Sequence, residues 1–365
     1  MKIINIVGAR PNFVKIAPLM EAYRQHKAIT PVLVHTGQHY DSKMSDLFFH
    51  QLGIPQPDLN LGVGSASHAV QTAEIMKAFE PVVLEHKPDL VLVVGDVNST
   101  IACGLVAVKL GVKLVHVEAG LRSFDRTMPE EVNRVLTDSI SDFLFCTEKS
   151  GVDNLAREGI AADKVFLVGN VMIDALLKHK AAAEKSSIVR DMKLESGRYA
   201  VLTLHRPANV DDPGVFDRIL DALDVIQRDM PVVFPIHPRT RNNLKDSAPG
   251  KRVQEMKNLV MTDPLGYLDF LKLMSEARIV LTDSGGIQEE TAILKVPCVT
   301  LRENTERPVT VDTGWNQVVG RDPERIIAAY QRAFSRPKDA GERPPLWDGH
   351  AAERIVRILA DRCGG

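Results

Sequence analysis

The side chains best suited to chemistry gather at the ends of apolar runs. Leu90–Val94 runs into Gly95 and Asp96, and Leu114–Val117 runs into Glu118. A proline-led segment follows, Pro129-Glu130-Glu131-Val132-Asn133-Arg134. A carboxylate that ends an apolar strand is costly to bury unpartnered, so Glu118 needs a reason to be there. Asp96, Glu118 and Glu130 together offer general acid–base chemistry. Plainer roles stay open: Asp96 as a helix N-cap, and Glu130 as a first-turn residue ion-paired with Arg134. In the second half, Val201–Leu204 ends at His205-Arg206-Pro207, and Val232–Ile236 ends at His237-Pro238-Arg239. A lone histidine after a strand caps or packs, but two at equivalent positions, each followed by arginine, suit an anion.

The strongest anion signal is Leu281-Thr282-Asp283-Ser284-Gly285-Gly286-Ile287-Gln288-Glu289-Glu290. An apolar run empties into Ser-Gly-Gly and a helix begins. The first-turn N–H groups have no intrahelical partner, and the dipole favours negative charge there. Gly285 and Gly286 let a diphosphate approach the backbone, although an ordinary strand-to-helix turn also tolerates glycine. The turn after the first strand, Gly8-Ala9-Arg10-Pro11-Asn12-Phe13-Val14-Lys15, is neither a GxGxxG nor a Walker loop. Its Arg10 and Lys15 suit a phosphate, or are surface charge.

Positioning these groups requires a sheet whose strand ends share one side. Strands are expected at Ile3–Val7, Val32–His35, Leu90–Val94, Leu114–Val117 and Phe143–Cys146, then at Val201–Leu204, Val232–Ile236, Leu259–Met261, Arg278–Thr282 and Cys298–Leu301. Helical segments between them include Val14–His26, Met44–Leu52, His68–His86 and Ser99–Leu110. Near-continuous apolar strands with helical crossovers give parallel sheets covered on both faces. The chain is read as α/β, two doubly wound Rossmann-like domains facing a central cleft. The expected boundaries are residues 1–169, residues 170–345, and a terminal helix in residues 346–365. With 365 residues, 45 Lys+Arg against 47 Asp+Glu and a net charge of −2, no bulk field favours nucleic acid or a membrane. The four cysteines, Cys103, Cys146, Cys298 and Cys363, show no metal spacing and read as reduced core residues of a cytoplasmic protein. No metal and no cofactor are expected. The layout suits a nucleotide diphosphate held by the second domain, with its sugar presented to carboxylates of the first.

An ordered set of motifs resembles the non-hydrolysing UDP-N-acetylglucosamine 2-epimerases. It comprises Gly8-Ala9-Arg10-Pro11, His35-Thr36-Gly37-Gln38-His39, Gly95-Asp96, His116-Val117-Glu118-Ala119-Gly120-Leu121-Arg122, Pro129–Arg134, His205-Arg206, Thr282–Glu290 and Thr305-Glu306-Arg307-Pro308. The resemblance implies a GT-B-like fold whose terminal helix packs back on the first domain, a homodimer, and interconversion of UDP-GlcNAc and UDP-ManNAc through elimination of UDP, a 2-acetamidoglucal and re-addition. It implies Asp96, Glu118 and Glu130 for proton transfer and positioning, and His205 with Arg10 for the departing diphosphate. It also implies Ser284, Gly285 and Gly286 at phosphate and Glu290 at the ribose hydroxyls. His237, Phe270 and Arg307 would line the nucleotide pocket, with Lys15 and Arg134 also at the substrate, while Glu289 is placed on the helix face.

Departures are visible. His205-Arg206-Pro207-Ala208-Asn209 lacks the glutamate usual after the histidine. Regulated bacterial members bind a second UDP-GlcNAc; Gln38 and Gln71 match them, but Asp41 replaces a glutamine and Val70 an arginine. Weak or absent activation by substrate is therefore expected. The short segment Ser123–Met128 also resembles relatives acting on UDP-diacetamido-glucuronate, for which Arg122 or Arg126 would meet the extra carboxylate. A glycosyltransferase of the same fold, or a non-catalytic nucleotide-sugar sensor, would have less use for the paired acidic motifs.

Overall fold

The computed structural model describes residues 1–37, 53–236, 238–245, 247–335 and 341–363, without the side chains of Arg10, Pro238 and Arg239. His237, Gln38, Asp41 and the expected helix Met44–Leu52 lie outside the described residues. Two compact units are present, Met1–Lys178 with Pro345–Gly365, and His179–Pro344.

The first unit contains β1 (Lys2–Val7), α1 (Arg10–Tyr23), β2 (Thr30–His35), β3 (Leu59–Asn60), α2 (His68–His86), β4 (Leu90–Val94) and α3 (Asn98–Lys109). It continues with β5 (Lys113–Ala119), α4 (Pro129–Ile140), β6 (Phe143–Cys146), α5 (Lys149–Arg157), β7 (Val165–Leu167) and α6 (Val171–Ala183), the last running across the division between units. Its seven strands lie in the order β3-β2-β1-β4-β5-β6-β7, all parallel. The β4 run Leu90-Val91-Leu92-Val93-Val94 is buried throughout, as expected for a strand covered on both faces. Ile4, Ile6, Val34, Phe79, Val91 and Val93 form the heart of one core cluster. Each such side chain stabilises the fold by roughly 1.5–3 kcal/mol on burial.

The second unit contains β8 (Ala200–Thr203), α7 (Pro213–Asp229), β9 (Val232–Pro235), β10 (Leu259–Thr262), α8 (Tyr267–Ser275), β11 (Ile279–Thr282), α9 (Gly285–Leu294), β12 (Cys298–Thr300), β13 (Asn316–Val318) and α10 (Pro323–Ser335). Its parallel order is β10-β9-β8-β11-β12-β13. Phe216, Ile219, Phe234, Leu281, Leu301 and Ile326 pack in its core. In both sheets the order reverses once, between β1 and β4 and between β8 and β11. Such switch points open a crevice at the carboxyl ends of the strands, where ligands bind. Three strands were not expected: β3, β7 and β13. They are short and lie at sheet edges: β3 (Leu-Asn) and β13 (Asn-Gln-Val) are partly polar, and the apolar β7 (Val165–Leu167) is only three residues long.

The terminal helix α11 (Ala351–Cys363) belongs to the first unit and lies against α1. Asp174 on α6 accepts from the N–H groups of Ala351 (3.2 Å) and Ala352 (2.7 Å), a carboxylate at the positive end of the helix. The indole of Trp347, fully buried, donates to the Thr147 carbonyl at 2.9 Å. Cys103, Cys146 and Cys298 are buried free thiols; Cys363, in the last helical turn, is only half-buried and is not a core residue. Among the described residues, no helix is long and apolar enough to cross a membrane.

Candidate active site

Each unit carries one group of the chemically interesting residues at its own switch point. In the first, the turn between β1 and α1 is pinned by Asn12, whose Oδ1 accepts from Gly8 and Ala9 N–H while its amide donates to the Val94 carbonyl at 3.0 Å. Lys15, one helical turn on, is buried, and its Nζ lies 2.5 Å from Glu118 Oε2. The sequence gives Lys15 a phosphate or surface role; in the fold it sits on the carboxylate that needed a partner. Glu118 stands at φ +76°, within a bulge where the β5–β6 register shifts between Val117 and Ala119. A non-glycine residue held there costs on the order of 1 kcal/mol or more, and such strain clusters at functional sites. Gly95, at φ +69°, leaves room for Lys15, whose Nζ would lie 2.9 Å from any Cβ added there.

Asp96 follows Gly95 and pairs with Arg134, Nη2 to Oδ2 at 2.5 Å. It does not cap α3, whose N-cap is Val97 with no side-chain bond. Nor, among the described residues, does Arg134 pair with Glu130; it pairs with Asp96 and with Glu131. Positions i+3 and i+4 on a helix face the same side, and Glu131 is the acid drawn inward. Its buried carboxylate accepts from Ser123 N–H (2.9 Å), the Ser123 hydroxyl (3.0 Å) and Phe124 N–H (2.9 Å). Glu131 therefore shapes the 123–128 loop, a role that sequence did not assign. Glu130 is half-buried, with no hydrogen bond or ion pair among the described residues. Arg122, once a candidate cation for a ligand, is buried against Asp138 and Glu158.

In the second unit, His205 follows β8 and its Nδ1 lies 2.9 Å from Asp283 Oδ1. Asp283, fully buried at the end of β11, also accepts from the N–H groups of His205 and Arg206 and from the Asn209 amide. Burial opposes its charge, but His205, Arg206 N–H and Asn209 hold its carboxyl below the usual range. Asp283 thus fixes the imidazole while the ring's remaining surface is exposed, the side chain being 56% accessible. Asn209 bridges Asp283 and the Leu301 carbonyl in the motif that lacks the usual glutamate.

Ser284, Gly285 and Gly286 open α9 half-buried, with no side chain capping the helix. Among the described residues, a Cβ on Gly285 would meet only Glu306 Oε2, at 3.8 Å, an ordinary van der Waals distance that leaves this turn open on that side. Gln288 anchors the helix: it donates to the Ser284 carbonyl and accepts from Thr305 and Asn316. Glu289 is not on an exposed face. It is fully buried and pairs with Arg307, which is itself buried. Among the described residues Glu290 has no ion-pair partner; the Tyr267 hydroxyl donates to it at 3.4 Å. Burial, reinforced by the neighbouring Glu289 charge, pushes Glu290 up to about 8. Phe270 is half-buried one turn beyond Tyr267 on α8.

The family model for UDP-N-acetylglucosamine 2-epimerase matches residues 21–360. The UDP-N-acetylglucosamine 2-epimerase of Methanocaldococcus jannaschii is 44% identical over 98% of this chain and 99% of its own. The UDP-2,3-diacetamido-2,3-dideoxy-D-glucuronate 2-epimerase of Pseudomonas aeruginosa is 41% identical over 99% of each. The crystal structure of the M. jannaschii enzyme with UDP-GlcNAc and UDP superposes with a TM-score of 0.92 at 43% identity, covering 99% of this chain and 100% of that one. With a carboxylate pair, an oriented histidine and an open helix N-terminus already in place, these likenesses fix the assignment: the chain belongs to the UDP-N-acetylglucosamine 2-epimerase family.

Proposed function

We propose that the protein interconverts UDP-N-acetylglucosamine and UDP-N-acetylmannosamine. A carboxylate takes the C2 proton, and the C1–O bond breaks with its electron pair leaving on UDP. A C1–C2 double bond remains, as a 2-acetamidoglucal. UDP then adds back at C1 while a proton reaches the opposite face of C2. Because that C2 hydrogen is only weakly acidic, the base and a stabilised leaving group must act together. Asp96, Glu118 and Glu130 supply the proton-handling groups. His205, Arg10 and the Ser284-Gly285-Gly286 backbone stabilise the diphosphate, which needs preorganised donors. Glu290 meets the ribose hydroxyls, with His237, Phe270 and Arg307 around the nucleotide. Lys15 and Arg134 act beside the sugar by holding Glu118 and Asp96.

The observation that carries the reading is the strained, buried Glu118 with Lys15 against it, beside Asp96 with Arg134. The commitment of Arg122 to Asp138 and Glu158 removes one of two cations that a uronate substrate would use. We read the protein as cytoplasmic and as serving surface-polysaccharide synthesis. We read it also as a homodimer, supported by Val70 and Leu84 on α2 and Leu136 on α4, each 47–57% exposed. The test is proton NMR with UDP-GlcNAc in D2O, with no metal or cofactor added. A ManNAc anomeric signal growing as the H2 signal disappears is expected. No change with UDP-GlcNAc, but turnover of the diacetamido-uronate, would move the assignment to that substrate.

A further inference from the structure

Behind the carboxylates of the first unit lies a buried charge cluster that the proposed reaction does not use. His116, in the middle of β5, is fully buried among apolar neighbours. Its Nε2 is 2.9 Å from the Gly95 carbonyl, and its Nδ1 is 2.6 Å from Asp138 Oδ1. Asp138 Oδ2 accepts from Gly120 N–H at 3.0 Å and from Arg122 Nη1 at 2.7 Å. Arg122 continues in a fork to Glu158, at 2.7 and 2.6 Å. The bridge thus grips the backbone one residue before Asp96 and two residues after Glu118.

Hydrogen-bond capacity decides the state of the ring. A backbone carbonyl only accepts, so Nε2 donates to Gly95. A carboxylate that already takes two donors, one of them a guanidinium, is ionised, so Nδ1 donates as well. His116 then carries protons on both nitrogens, and two cations face two anions, Asp138 and Glu158. An uncompensated charge at this depth would be strongly destabilising.

We propose that His116, held as an imidazolium by Asp138, is a positioning residue for proton transfer. Its ring fixes the Gly95–Asp96 turn, and through Asp138 it fixes the strained bend at Glu118. The inference rests on the epimerase reading but is tested partly without turnover. Asp138→Asn keeps the shape while placing an amide donor where Nδ1 donates, forcing the ring to its neutral Nε2–H tautomer. The first measurement is ring-nitrogen NMR of 15N-histidine-labelled protein. Two protonated nitrogens on His116 are expected in wild type, and one in Asp138→Asn.

The second is steady-state kinetics of Asp138→Asn and His116→Gln. Small displacement of reacting groups lowers kcat by about 10- to 100-fold. KM should stay within about twofold, because the nucleotide is held by the other unit. A neutral His116 in wild type overturns the proposal. So does unchanged kcat in both variants, or loss of kcat only in step with loss of folded protein by circular dichroism. Failure of the wild type to epimerise at all would sink the functional reading instead, leaving the ring measurement to be judged alone.

Discussion

Acidic residues in the two units are treated in opposite ways. In the first, Glu118 and Asp96 each lie 2.5 Å from a cation, Lys15 and Arg134, and the pairing favours the charged form. In the second, Glu289 and Glu290 are adjacent and both buried. Glu289 takes Arg307, and Glu290 is left with a phenol and a carboxyl pushed up to about 8. Residue type did not set this contrast: a cation stands against each of Glu118 and Asp96, whereas burial and the adjacent Glu289 charge oppose ionisation of Glu290. An ionised carboxylate can remove a proton from carbon. A neutral one both donates and accepts, which suits a pair of ribose hydroxyls better than it suits a base.

The contrast can be broken most severely at Glu118. Glu118→Gln and Asp96→Asn should each lower epimerisation by about 100- to 10,000-fold, the range of a lost acid–base group. H2 exchange in D2O followed by NMR measures it, and residual rates within tenfold of wild type would remove these residues from the proton path. Lys15→Met comes next. It strands a buried carboxylate and should destabilise the fold by about 3–5 kcal/mol. Lys178→Met breaks the half-exposed pair with Glu21 and should cost under about 1 kcal/mol. Urea titration of both variants tests that ordering.

Glu290 sharpens the comparison through pH. Its folded pKa lies above the ordinary carboxylate value, so between about 4.5 and about 8 the folded state holds a proton that the unfolded state has released. That contribution favours folding at the acid end and fades as pH rises towards 8. Glu290→Gln should remove the decline, so that melting temperatures of variant and wild type diverge with rising pH. Parallel melting curves would show Glu290 to be ionised already. The smallest expected effect is kinetic: hyperbolic rather than sigmoidal rates from UDP-ManNAc, since Val70 offers no cation for a second substrate. Added UDP-GlcNAc that converts a sluggish reaction into a fast one would count against this.

Much of the frame was legible because apolar runs between turn signals are a local property. Leu90–Val94, Phe143–Cys146 and His68–His86 have the bounds expected of them. Where the reading stopped short, the missing information was three-dimensional. β5 was ended at Val117 because a charged residue interrupts the run, whereas the strand continues through Glu118 by bulging. Glu130 and Glu131 are both first-turn acids, and nothing in their order tells which one the Ser123 and Phe124 N–H groups will capture. His116 carried a signal that went unused: a polar ring inside Leu-Val-His-Val has to find partners for both nitrogens. Asp283 carries no role in the sequence alone, because its role depends on β8 lying beside β11.

The first unit is assembled from both ends of the described chain, with Asp174 and Thr147 receiving Ala351, Ala352 and Trp347. On the ribosome this imposes an order of completion. The second unit is whole once Pro344 has emerged, while the unit bearing Glu118 still waits for its last helix. Until Ile355, Val356 and Leu359 arrive, the nascent chain exposes the apolar flank of the first helix. A stop codon shortly before Ala351 should therefore yield a chain that engages holding chaperones, even though every residue proposed to touch the sugar has already been translated.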